Sequence, residues 1–136
     1  MKKILVANRG EIAIRVMKTA QKMGIKTVAV FSTADRNAPH VKFADEAICI
    51  GEPPSNQSYL RGDKIMEAAL KLHVDAIHPG YGFLSENADF AELCEQNNII
   101  FIGPRSKAIK IMGSKLAAKE AVKHYNIPMV PGIDEA

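Results

Sequence analysis

KILVANRGEIAIRVMKTAQKMGIKTVAVF, residues 3–31, holds a strand, a helix and a second strand in one run. Lys3 to Ala7 is a compact apolar segment that reads as the first strand. From Glu11 to Met23 the apolar residues Ile12, Val16, Ala20 and Met23 recur every three or four positions, the stripe of a helix with one buried face. Gly24 follows in the position that favours a left-handed turn after a helix. Thr27 to Phe31 is again continuously apolar. Strands of that kind, without polar alternation, belong to a parallel sheet covered on both faces.

The same rhythm continues outward. Ala47 to Ile50 reads as a third strand bounded by Gly51, and the polar, two-proline segment from Glu52 to Ser58 as a loop. Ile65, Ala68, Ala69 and Leu72 mark a second helix, Asp75 to Ile77 a fourth strand, Phe90, Leu93 and Cys94 a further helix, and Ile99 to Ile102 a fifth strand. Alternation of this kind predicts an α/β fold, an open doubly wound parallel sheet with right-handed crossovers and helices on both faces. The character changes after Gly103. Arg105 to Lys123 carries six basic residues and one acid and reads as two short helices, a C-terminal helical extension. Pro128 and Pro131 then oppose helix formation. The expected division is an α/β domain over 1–113 and the start of a further region over 114–136. The tail has no element that closes a fold, so the chain is expected to be part of a longer polypeptide.

Composition narrows the function classes. A chain of 136 residues with 47% hydrophobic content suits one domain with its own core. Aromatic content of 6% without Trp argues against a base-stacking platform for nucleic acid. A net charge of +3 permits small anions but does not argue for DNA or a membrane surface. Cys49 and Cys94 lack paired-ligand spacing, so zinc is not expected, and both read as reduced core thiols. The first strand starts too close to Met1 for a signal or transit peptide, and no apolar run reaches membrane-span length. The expected compartment is the cytoplasm.

The segment with the most chemistry is His78 to Asn87, HPGYGFLSEN, a loop between the fourth strand and the next helix. Open α/β sheets place ligands at such strand ends. Gly80 and Gly82 let backbone approach a ligand while the Tyr81 ring, which has little core to join, reaches it. His78, as a lone histidine, reads first as structural, and Glu86 as a hydrogen-bond acceptor, a holder of a cation or a helix cap. The first turn, Ala7-Asn8-Arg9-Gly10-Glu11, sits where a dinucleotide fingerprint would, yet only one of its three glycines is present. Asn8 and Glu11 therefore read as helix caps, and Arg9 as a surface ion pair before a contact for an anion. Met112-Gly113-Ser114-Lys115 opens a later helix and can offer N–H groups and an ammonium to an anion. Lys115, Lys119 and Lys123 share a helix face that reads as solvated surface, Lys115 alone being singled out by its position. No nucleophile–base set, carboxylate pair or metal cluster stands out, so the chain is expected to contribute only part of a site.

Taken in order, ILVANRGEIAIR (Ile4 to Arg15), GIKTVAV (Gly24 to Val30), Ser58-Tyr59-Leu60, IHPGYGFLSEN (Ile77 to Asn87), FIGP (Phe101 to Pro104) and Met112 to Lys115 resemble the N-terminal domain of biotin carboxylases, found in acetyl-CoA, propionyl-CoA and pyruvate carboxylases. The resemblance runs from Lys3 to about Gly132. It implies a Rossmann-like domain that precedes an ATP-grasp region. The activity it implies is that of an ATP-dependent ligase. ATP and bicarbonate give carboxyphosphate, and the carboxyl group passes to N1′ of biotin on a carrier domain, with Mg2+ in the complete enzyme. By resemblance, Tyr81 lies beside the biotin ureido ring with the Gly80 and Gly82 backbone shaping that edge. Lys115 matches a lysine that reaches ATP, and Arg15 and Lys18 match positions at a homodimer interface. The implied partners are the rest of the biotin carboxylase chain, the biotin carboxyl carrier domain and the carboxyltransferase. Ser114 stands where the family usually has Asp. The resemblance puts the catalytic residues beyond Ala136, so the chain by itself is expected to be inactive. Two other readings remain open: the N-terminal domain of another ATP-grasp ligase of the carbamoyl-phosphate synthetase kind, and a free-standing nucleotide- or anion-binding module.

Overall fold

The computed structural model describes residues 1–103 and Ile109, a buried helical residue. Five strands, β1 (Lys3–Val6), β2 (Lys26–Ser32), β3 (Glu46–Gly51), β4 (Ala76–His78) and β5 (Ile100–Phe101), form one sheet in the order β3-β2-β1-β4-β5. Every pairing is parallel. The connecting helices are α1 (Gly10–Lys22), α2 (Pro39–Phe43), α3 (Gly62–Lys71) and α4 (Ala88–Gln96), with single 3-10 turns at Thr33–Asp35 and Ser55–Gln57. The doubly wound parallel sheet is the one the sequence predicts. The helical extension expected after Gly103 falls outside the described residues, Ile109 excepted.

Period-two geometry sorts the strand residues between the two faces. Leu5, Val28, Val30 and Ile77 point to one side, where Ile65 and Ala69 of α3 and Phe90 and Cys94 of α4 complete the larger core. Val6 and Ala29 point to the other, against Ala13 and Met17 of α1 and Phe43 of α2. Ile4 and Ala76 meet Ala20 there too.

The structure corrects the sequence reading at three places. The most buried stripe of α1 is Ala13, Met17 and Ala20; Ile12 and Val16 flank it half-buried, and Met23 is 69% exposed beyond the helix end. Gly24 does take the left-handed turn, with φ +76°. Cys49 is exposed, because β3 is an edge strand, whereas Cys94 is buried as expected. Finally, the stretch between β2 and β3 contains α2, which opens on Pro39, a residue suited to a first helical turn because it has no N–H to satisfy.

Candidate functional site

From β1 the chain winds to β2 on one side, and β4 and β5 lie on the other. The crevice between the carboxyl ends of β1 and β4 is thus the point where the winding reverses, the place where open α/β sheets bind ligands. Two segments meet there. The Ala7 N–H donates to the His78 carbonyl at 2.9 Å, extending the β1–β4 pairing to the mouth of the crevice.

The loop after β4 is left-handed at Gly80 (φ +66°), Gly82 (φ +69°) and Phe83 (φ +42°). Glycine takes that conformation freely, while Phe83 takes it at a cost of about 1–2 kcal/mol. The Phe83 ring repays this by stacking on Tyr59, with centroids 5.2 Å apart. At the other end of the loop, Gly80 N–H donates to His78 Nδ1 at 3.0 Å. That bond fixes a neutral His78 with its proton on Nε2, and burial holds its pKa below the usual histidine value. Between these anchors Tyr81 stands out, 77% exposed.

Asn8 ties the first turn to this loop. It is 2% exposed, and its Nδ2 donates to the Pro79 carbonyl at 2.9 Å and the Tyr81 carbonyl at 2.6 Å. Its Oδ1 accepts from the Arg9 N–H at 2.8 Å. The expected cap is therefore absent: α1 has no side-chain cap, and Glu11 is exposed. The physical reason is that the left-handed loop leaves the Pro79 and Tyr81 carbonyls facing the Asn8 amide, which satisfies both of them. Glu86 does not cap α4 either; Asn87 does, accepting from the Phe90 N–H.

Arg9 forms the surface ion pair expected of it. It meets Asp35 through Nε at 2.7 Å and a second nitrogen at 2.9 Å, and Asp35 also accepts from the Tyr59 hydroxyl at 2.7 Å. The Arg9 bonds, aided by Tyr59, hold the Asp35 pKa down at about 2, against the effect of its partial burial. Burial pushes the Tyr59 hydroxyl up to about 12. The acid beyond β2, where a dinucleotide fold would hold a ribose, is thus already engaged. The missing glycines and this ion pair both speak against a dinucleotide.

The Tyr81 loop also borders an apolar groove of about 620 Å³ whose wall includes Ile12, Val16, Ile25 and Ile102, with Arg15 at its side. Arg15 and Lys18 are both exposed on α1. Gly80, Tyr81 and Gly82 lie in the loop between β4 and α4, the strand-to-helix position the sequence predicts for them. Lys115 and Ser114 lie outside the described residues. Among the described residues no group of His, Cys, Asp and Glu is arranged to hold a metal ion, and no helix is long and apolar enough to cross a membrane. Sequence reasoning missed Asn8 as a clasp and the Asp35–Tyr59 contact.

The family model for the N-terminal domain of biotin carboxylase matches residues 1–109. The biotin carboxylase of Nostoc sp. is 58% identical over 130 residues, covering 96% of this chain and 29% of that protein. The mitochondrial methylcrotonoyl-CoA carboxylase subunit alpha of Dictyostelium discoideum is also 58% identical over 130 residues, covering 96% of this chain and 19% of its own length. Among solved structures, the biotin carboxylase domain dimer of Hydrogenobacter thermophilus 2-oxoglutarate carboxylase, in complex with MgADP, ADP and bicarbonate, superposes with a TM-score of 0.83 at 51% identity, covering 98% of this chain and 29% of that one. The chain therefore spans less than a third of the length of each of these relatives.

Proposed function

The chain belongs to the biotin carboxylase N-terminal domain family, and from that membership we propose that the polypeptide carrying it uses ATP and bicarbonate to carboxylate biotin on a carrier domain. The observation that carries the reading to this site is Tyr81, held out at the switch point by left-handed glycines on either side. In this proposal Tyr81 lines the biotin ureido ring, with the Gly80 and Gly82 backbone beside it. Lys115 offsets phosphate charge on ATP, since a compact ammonium suits that task. The α/β domain ends near residue 113, and residues 114–136 begin the ATP-grasp region. Mg2+ accompanies ATP in the complete enzyme, and the 136 residues alone turn over no ATP. Arg15 and Lys18 face the second subunit of a homodimer. The carrier domain and a carboxyltransferase are the further partners, and the proposed compartment is the cytoplasm.

The test is ADP release by the full-length gene product with bicarbonate, with and without free biotin. Stimulation by biotin is the expected result. Turnover indifferent to biotin would move the chemistry to another ATP-grasp ligase. In the same assay Tyr81→Ala raises the KM for biotin more than that for ATP, and Lys115→Ala raises the KM for ATP. Unchanged ATP kinetics in the lysine variant would sink that assignment.

A further inference from the structure

We infer that Asn8 is a positioning residue for the Tyr81 loop, clasping it in the conformation that presents the ring. The inference rests on the biotin reading for its kinetic consequence, but its structural half stands independently. Asn8 is buried and lies across the β1–β4 crevice from the loop. One amide nitrogen holds the carbonyls on both sides of Gly80, those of Pro79 and Tyr81. The fit is close: a Cβ on Gly80 would lie 2.7 Å from Asn8 Nδ2 and 3.0 Å from a methyl of Ile12. At the far end the loop is pinned by Phe83 on Tyr59 and by buried Leu84. Tyr81 is largely exposed, so burial among the described residues does little to hold it. Its direction is therefore set by these anchors together with the Gly80–His78 bond, and Asn8 is the one that reaches the loop from the β1 side.

Asn8→Asp keeps the shape, removes both donated hydrogen bonds and turns a carboxylate oxygen toward two carbonyls. Losing such buried bonds is worth about tenfold or more in an equilibrium that depends on them. In the full-length enzyme, Asn8→Asp and Asn8→Ala should raise the KM for free biotin by about tenfold or more while the KM for ATP moves less than about twofold. The double variant Asn8→Asp/Tyr81→Ala should be no worse for biotin than Tyr81→Ala alone, because both remove one presented ring. Hydrogen exchange at the Gly80 amide, bonded to His78 in the wild type, should quicken by a similar factor in the Asn8 variants while α3 amides stay slow. Both KM values rising together, additive effects in the double variant, or unchanged exchange at Gly80 would overturn the inference. If neither Asn8 variant folds, the wild type decides: Asn8 side-chain amide protons exchanging at the unprotected rate overturn the clasp, and slow exchange of those protons, which the Pro79 and Tyr81 carbonyls accept, supports it. A wild type indifferent to biotin refutes the proposed function instead and leaves the exchange measurement to judge Asn8.

Discussion

Replacing Tyr59 by Phe removes one oxygen atom from the larger core and leaves the ring stacked on Phe83. That oxygen donates to Asp35 at 2.7 Å and accepts from the Ser32 N–H at 3.2 Å. The two losses differ in weight. Ser32 is 2% exposed, so its N–H is left buried without that acceptor, at a cost of about 1–3 kcal/mol. Asp35 keeps both Arg9 bonds and retains 14% side-chain exposure, so water replaces most of what the hydroxyl gave, and this side adds only about 0.5–1 kcal/mol. The expected loss is about 2–3 kcal/mol in urea unfolding at pH 7, read as a lower midpoint with an unchanged slope. The carboxylate gives a second readout. The Asp35 pKa, held at about 2 in the fold, is depressed from 3.8, so its stabilisation is complete above 3.8 and disappears as pH falls toward 2. Without the hydroxyl the folded pKa moves up and this acid-sensitive contribution shrinks. A double-mutant cycle with Asp35→Asn should show a coupling of about 0.5–1 kcal/mol. A loss below about 0.5 kcal/mol would refute the argument, because it would mean that the Ser32 amide is hydrated and the hydroxyl idle.

Two further outcomes concern the fold. Burial lowers the pKa of both His40 and His78 from 6.5, and His40 has a ring nitrogen, Nδ1, with no partner among the described residues to receive a proton's hydrogen bond. Depressed histidine values mean that stability is complete above 6.5 and declines as pH falls through the folded values, by up to about 1.4 kcal/mol per pH unit for each group. Urea midpoints from pH 7 to 5 should fall in the wild type and fall less steeply in His40→Leu; a flat wild-type profile would contradict the burial argument. Gly51→Ala, at φ +148° and with its Cβ driven into the Gln57 carbonyl oxygen, should cost about 2–4 kcal/mol in unfolding experiments, and a neutral result would show that the Ser55–Gln57 turn moves freely.

What the sequence disclosed was whatever depends on neighbours in the chain. The continuous apolar runs of β1, β2 and β4 marked a parallel sheet, Gly24 marked the end of α1, and Gly80-Tyr81-Gly82 marked the loop between β4 and α4. What it withheld depends on distant partners. Nothing in Ala47 to Ile50 says that β3 lies at the sheet's edge, so exposed Cys49 looked like core. The stripe of α1 was misplaced because its buried residues include two small alanines, while the bulkier Ile12 and Val16 lie on the shoulder of the face. Asn8 looked like a cap because its true acceptors lie 71 and 73 residues away. The five residues of α2 are too short to display a period, and the Tyr59–Asp35 contact joins positions 24 apart.

The order of strands also sets an order of events at synthesis. β1 pairs on one side with residues 26–29 and on the other with residues 76–78. At a ribosomal pace of about 5–20 residues per second, roughly 2–10 seconds separate the emergence of these two partners. Through that interval Ile4, Leu5 and Val6 present a bare apolar strand edge, the state most open to mispairing with another chain. Closure comes when Asp75 receives the backbone N–H groups of Lys2 and Lys3 and β4 zips against β1. Only then do Asn8 and the Tyr81 loop meet. A nascent or half-folded chain therefore has no means of displaying this crevice, and the loop's presentation reports that the sheet has closed.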